Sequence, residues 1–178
     1  MTSIEESDMT FGDYAEDSVF RIENSQTAEV LRKWCKTVEF LLYRKKEQLL
    51  FIEAKKSCPN GANKDESPDK LKKFEEYYSD IVNKFIDSLQ MLLTTVLMRN
   101  ENLDGMGDKI KSKKDYAKTQ FTFILVIKSA VGLEWLSGPQ IELETRLKHI
   151  LKIWNARILV LNEELAVEHG LVKGSITA

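Results

Sequence analysis

Residues 38–57 read VEFLLYRKKEQLLFIEAKKS, two apolar runs around a charged turn, each run carrying one glutamate near its outer end. The β-branched and aromatic residues on both sides of a polar centre predict a β-hairpin. With Lys46 at the middle of the turn, Glu39 and Glu53 are equidistant from it, so they lie directly opposite one another on one face. One face then reads Val38, Phe40, Leu42, Leu50, Ile52 and Ala54. The other reads Leu41, Tyr43, Leu49 and Phe51 near the turn, and Glu39, Glu53 and Lys55 at the far end. A slip of one residue would mix these sets, which makes this register the economical one.

The flanking sequence supplies a sheet for this hairpin and helices to cover it. SVFRIE (18–23) alternates as a short strand, and SQTAEVLRKWCK (25–36) follows with Ser25 as N-cap and Ala28, Leu31, Trp34 and Cys35 at helical spacing. Residues 55–70 are rich in Pro, Gly, Asn and Ser and predict a loop. From Asp69 or Lys70 to Arg99 runs a long apolar stripe that includes Phe74, Tyr78, Ile81, Phe85, Leu89 and Leu92. A second loop over 100–118 leads to TQFTFILVIKS (119–129), apolar enough for a buried strand. Ser137, Gly138 and Pro139 mark the start of a helix over 140–154, and ARILVLN (156–162) is a final strand before a polar tail. This order predicts an α/β fold, a mixed β-sheet flanked by helices. The acidic first 17 residues, with Glu5, Glu6, Asp8, Asp13, Glu16 and Asp17, read as a flexible leader, and 18–178 as one α/β domain.

Composition narrows the function classes. The chain has 178 residues, 43% hydrophobic and 30% charged, enough for one well-buried core without a metal or disulfide staple. A net charge of -2 offers no basic footprint for coating nucleic acid, although it leaves room for a local basic rim. The two cysteines, Cys35 and Cys58, have neither metal-ligand spacing nor disulfide-scaffold density, which fits a reducing, cytoplasmic setting. There is no long apolar run for a membrane span, and no P-loop, dinucleotide or nucleophile-elbow motif.

Two carboxylates converging at a strand end are suited to Mg²⁺ or Mn²⁺, hard cations that take oxygen ligands and retain waters. Lys55 on the same face is placed to stabilise phosphate charge or help deprotonate a metal-bound water. Glu53-Ala54-Lys55 is the chain's one acid-x-Lys triplet. Together with Glu39 on the preceding strand it resembles the signature of the PD-(D/E)xK nuclease superfamily, in which an acid on one hairpin strand faces (D/E)xK on the next. A helix before the hairpin, and a helix and strand after it, are similar to that restriction-endonuclease-like core over roughly residues 19–130, with the last helix and strand as an addition. Val38 and Glu39 stand where Pro-Asp is common in that family. The resemblance implies phosphodiester hydrolysis in nucleic acid, with Glu39, Glu53 and Lys55 as catalytic residues and Mg²⁺ or Mn²⁺ as cofactor. It further implies an acid from the first helix, Glu29 with Glu23 in reserve, and a substrate-binding Lys84 or Gln90 on the helix after the motif.

The competing reading is a catalytically silent α/β module that binds a protein partner or nucleic acid, its acids paired with Lys55 and its sheet edge blunted by charge. Tyr77, Met91, Leu97 and Met98 lie outside the main helical stripe and would then bury surface in a homodimer. His149 reads as a surface histidine and His169 as part of a terminal turn before Gly170, and Trp34, Trp135 and Trp154 read as core or rim packing. Lys109, Lys111, Lys113, Lys114 and Lys118 read as a solvated basic loop, with phosphate contact as the functional alternative.

Overall fold

The computed structural model describes residues 1–45, 47–99, 105–112, 116–130, 132 and 134–174. Its strands are β1 (Thr2–Glu6), β2 (Met9–Tyr14), β3 (Val19–Phe20), β4 (Phe40–Arg44), β5 (Gln48–Lys55), β6 (Gln120–Ile127) and β7 (Arg157–Asn162). The helices are α1 (Gln26–Leu31), α2 (Pro68–Val96), α3 (Asp108–Lys111), α4 (Glu134–Ile153) and α5 (Glu163–Glu168). The fold is the mixed α/β arrangement expected. A five-stranded sheet runs β3-β4-β5-β6-β7, antiparallel from β3 to β5 and parallel from β5 to β7, and β1-β2 forms a separate two-stranded sheet.

The hairpin register is the predicted one. Phe40 pairs with Ile52, Leu41 with Phe51 and Leu42 with Leu50, and Glu39 lies just before the first of these pairs, outside the ladder. The proposed turn centre, Lys46, lies outside the described residues. Burial on both faces fixes this register, because a slip would exchange two apolar sets that pack against different layers. Leu41, Leu49 and Phe51 join Phe85, Phe123 and Leu143 in a core under the helices, whereas Phe40, Leu42, Leu50 and Ile52 pack on Ile4, Met9 and Phe11. Val38 departs from its expected face and sits in the helix-side core. It precedes the start of β4 at Phe40, so strict alternation does not extend to it.

Two helical crossovers connect the parallel strands. Ser67 caps α2 by accepting from the Lys70 amide at 3.3 Å, and Pro68 takes the first helical position, where a missing N–H costs nothing. Both α2 and α4 contribute to the helix-side core, as crossovers of one hand advancing along the sheet in one direction require. The last strand, β7, extends the same sheet beside β6.

Three expectations are corrected. The acidic stretch 1–17 is not a leader: β1 and β2 form a hairpin that buries Ile4, Met9 and Phe11 on the sheet face opposite the helices. Helix α4 starts at Glu134 rather than after Pro139, because buried Leu136 anchors an earlier turn and Pro139 falls near the N-terminal end, where one lost hydrogen bond is tolerated. The strand 18–23 shrinks to Val19–Phe20, followed by a 3-10 turn over Ile22–Asn24. The tail contains α5, capped by Asn162 Oδ1 accepting from the Leu165 amide at 2.8 Å, and Leu171 and Val172 are buried against the first hairpin.

Candidate functional site

The end of the sheet where β5 finishes and β4 begins is where charged side chains meet the helix layer. Glu53 is 0% exposed, an unusual position for a carboxylate without partners of opposite charge. Its Oε1 accepts from Lys84 Nζ at 2.8 Å and lies 3.0 Å from Lys55 Nζ, while Oε2 has no hydrogen-bond partner among the described residues. Lys84 also lies 3.6 Å from Glu39 Oε1, so one ammonium group on α2 sits between the two opposed acids. Lys55 reaches Asp80 at 3.8 Å, and Asp80 is tied to Lys36 at 2.5 Å.

Helix α2 builds this arrangement by spacing. Tyr77, Asp80, Lys84 and Ser88 recur at intervals of three and four, which places them along one face toward the strand end. Buried Ser88 accepts from the Val38 amide at 2.9 Å, and Asp87 accepts from the Lys36 amide at 2.9 Å. These two bonds fix the chain leading into Glu39, outside the sheet ladder that holds Glu53. The Tyr77 hydroxyl is buried and, like Glu53 Oε2, lacks a hydrogen-bond partner among the described residues. Burial pushes its acidity down, with Cys58, Tyr78 and Glu53 adding to the effect.

Around Glu39 the charge balance is negative. Oxygens of Glu6, Glu23 and Glu39 lie within 4.8 Å of one another. Glu39 is pushed up to about 8, first by burial, then by the Glu53 carboxylate and a hydrogen bond with Glu23 that favours its protonated form; Lys84 opposes these. Burial also raises Glu53, with Lys84 and Lys55 pulling back, and burial followed by the Glu23 charge raises Glu6. For Lys84, burial pulls downward but Glu53 and Glu39 outweigh it, so the ammonium form is favoured. A set of carboxylates raised in this way takes up either protons or a cation.

A cleft of about 420 Å³ opens beside the cluster, lined by Glu23, Lys84, Glu29, Arg32, Lys36 and Thr37 among others. Glu23 and Lys84 belong to both. Of the residues expected from sequence, Glu39, Glu53, Lys55 and Lys84 are brought together here. Glu29 is exposed on α1 and lines the cleft, while the reserve residue, Glu23, stands in the carboxylate cluster. The reason is local: Ser25 Oγ accepts from the Ala28 amide at 3.1 Å and starts α1 there, leaving Glu23 in the preceding 3-10 turn beside β4. Gln90 is exposed six positions beyond Lys84 on α2, off the face that carries Lys84.

The sequence reading missed Glu6, Asp80, Lys36 and Ser88. The α2 residues had a signal in their spacing with Lys84; Glu6 was hidden in the acidic leader. Other expectations fall outside this site. Trp34 and Trp135 are 76% and 53% exposed rather than packed, whereas Trp154 rests on Phe121 at 6.0 Å. Met91 is buried in the core and Tyr77 is half-buried, so surplus apolar exposure among the four named residues of the long helix is confined to Leu97 and Met98. Lys109 pairs with Asp17 at 3.1 Å, and Lys113 and Lys114 lie outside the described residues. Both histidines are exposed. Among the described residues, no helix is long and apolar enough to cross a membrane. No protein-family model matches this chain, and neither a curated protein nor a solved structure is significantly similar to it.

Proposed function

We propose that this protein is a divalent-metal-dependent hydrolase of nucleic-acid phosphodiesters, related in design to the PD-(D/E)xK nucleases. The observation that carries the reading is the convergence of Glu39 and Glu53 on Lys84 at the end of the β4-β5 hairpin, with Glu23 beside Glu39 and Lys55 beside Glu53. The order of α1, the β4-β5 hairpin, α2 and parallel β6 is the order that such a core requires. The donor set fits Mg²⁺ or Mn²⁺, since it is all oxygen and one buried acceptor, Glu53 Oε2, has no hydrogen-bond partner among the described residues.

Glu39, Glu53 and Glu23 would hold the ion, which when bound lowers the pKa of a coordinated water and offsets phosphate charge. Lys55 and Lys84 supply positive charge where a phosphorane would develop, and the buried floor around Glu53 keeps their field unscreened. Arg32 and Lys36, on the cleft wall, would meet the phosphates of a strand lying across it, Lys36 by leaving Asp80. The test is cleavage of single- and double-stranded DNA and RNA with Mn²⁺ by the wild type, Glu39→Gln and Glu53→Gln. Loss of about 100-fold or more in both isosteric variants supports the proposal; no cleavage by the wild type, or equal cleavage by the variants, refutes it.

A second reading is favoured by one observation: Lys84 already lies between the two acids as a built-in counter-ion. On that reading the network is structural and the protein is a silent interaction module. It requires that Mn²⁺ does not bind the wild type and that removing Lys84 affects stability alone.

A further inference from the structure

We propose that a second cleft, at the end of the sheet away from the carboxylates, binds single-stranded nucleic acid with an unpaired base stacked on Trp154. The inference goes beyond the catalytic reading and does not require it. The cleft has a volume of about 410 Å³ and opens between the start of β6 and the last turns of α2 and α4, lined by Leu93, Lys118, Gln120, Phe121 and Trp154 among others. That is room for a nucleotide-sized ligand. Gln120 pairs with Gln48, the first residue of β5, whereas Glu53 lies five residues further along that strand, about 17 Å away.

Aromatic rings form the floor. The buried ring of Phe121 has Trp154 at 6.0 Å and Tyr116 at 6.3 Å. Both neighbours are held in place. The Tyr116 hydroxyl donates to Ile110 O at 3.0 Å, and Gln120 Nε2 donates to Asn155 O at 2.8 Å, which ties the start of β6 to the residue after Trp154. Trp154 is 38% exposed, so one part of its indole rests on Phe121 while another is open to the cleft. A ring fixed from behind and open in front is a stacking platform for any base, since every base has a π-face.

Charge is the second observation, and it selects an anionic ligand. The chain has 28 acids, yet the three segments that build the cleft, 88–99, 116–130 and 145–162, contain none. Lys118 lines the cleft itself. Arg99, Lys152 and Arg157, in the same segments, are exposed and have no ion-pair partner among the described residues. The C-terminal ends of α2 and α4 both reach this side, and helix ends of that polarity favour a nearby cation, which accounts for Arg99 and Lys152. It does not account for Arg157, which opens β7 opposite Thr122, or for the lack of acids along β6. Lys118 and Arg157 are the cations for the phosphates that flank a stacked base.

Fluorescence anisotropy of a short labelled oligothymidylate, titrated with the full chain at low salt in EDTA, tests the cleft without metal. Trp154→Ala is expected to weaken binding by about tenfold or more. Trp135→Ala, which removes an exposed tryptophan from the other end of α4, is expected to bind like the wild type. Arg157→Gln is expected to weaken binding by about two- to fivefold and to flatten its salt dependence, which provides a readout should Trp154→Ala fold poorly. No binding by the wild type, wild-type affinity in Trp154→Ala or in Arg157→Gln, or equal competition by a duplex of the same length overturns the inference. Strand binding that depends on Trp154 in a protein that cleaves nothing leaves this inference standing and removes the catalytic one. Cleavage by the wild type with no dependence of binding on Trp154 does the reverse.

Discussion

The molecule contains two hairpins that bury one another and reveal themselves very differently in sequence. The β4-β5 hairpin is apolar on both faces, because helices cover one side and the first hairpin covers the other. The β1-β2 hairpin has a single buried side, Ile4, Met9 and Phe11, and exposes acids on the other. A strand buried on both faces is dense with apolar residues and fixes its register; one buried on a single face keeps a period of two but an ordinary or acidic composition. Composition therefore finds the first hairpin's partner and overlooks the first hairpin. Its turn adds to the concealment, since Ser7 and Asp8 both adopt positive φ, 52° and 61°, without the Asn-Gly or Asp-Gly pair that usually announces such a turn.

The largest expected effect sharpens this contrast. Phe51 is fully buried and makes edge-on contacts with Phe121 and Phe123, and Phe51→Ala should cost about 5 kcal/mol in urea denaturation. Phe11 is equally buried and stacks edge-on against Phe40 at 5.4 Å, so Phe11→Ala should cost about 3 kcal/mol. A solvated leader would lose less than about 0.5 kcal/mol on the same change, and that outcome would break the comparison.

Next in size is the cation between the acids. Lys84→Met leaves Glu53 buried with Lys55 alone and should cost about 3 kcal/mol. Adding Glu53→Gln should recover at least part of that loss, because the charge that was stranded is gone. A single variant as stable as the wild type would mean that Lys84 is not the counter-ion described here.

A smaller effect follows from Glu39, which faces Glu53, Glu23 and Lys84 with Glu6 close by. Its folded-state pKa, about 8, lies above the ordinary value of 4.5. The folded protein therefore holds an extra proton between these values, and without metal its stability should fall as pH rises through that window and level off above it. Glu39→Gln removes the dependence and should be more stable than the wild type by about 1–3 kcal/mol at high pH, less than the full shift implies because solvent and Lys84 screen the rim. Parallel pH profiles for the two proteins, in EDTA, would contradict it.

Much of the sheet was legible because burial dictates pattern. The β4-β5 register followed from two apolar faces, and α2 from its stripe and the Ser67-Pro68 start. The remainder of the site depends on tertiary placement. Glu23 replaces Glu29 because Ser25 caps the helix two residues after it, a local signal that favours neither acid until the turn is seen against β4. Glu6 joins the cluster through contacts of Ser7 and Asp8 with the end of β5, and no periodicity encodes a contact between elements so distant in the chain.

The most direct test of the account is Mn²⁺ titration of the wild type and Glu39→Gln by calorimetry at mildly alkaline pH, repeated in buffers of different ionisation enthalpy. Saturable binding at millimolar Mn²⁺ with release of protons from the carboxylate cluster is expected, and loss of both in Glu39→Gln. Absence of binding in the wild type, or the same binding in the variant, would contradict it.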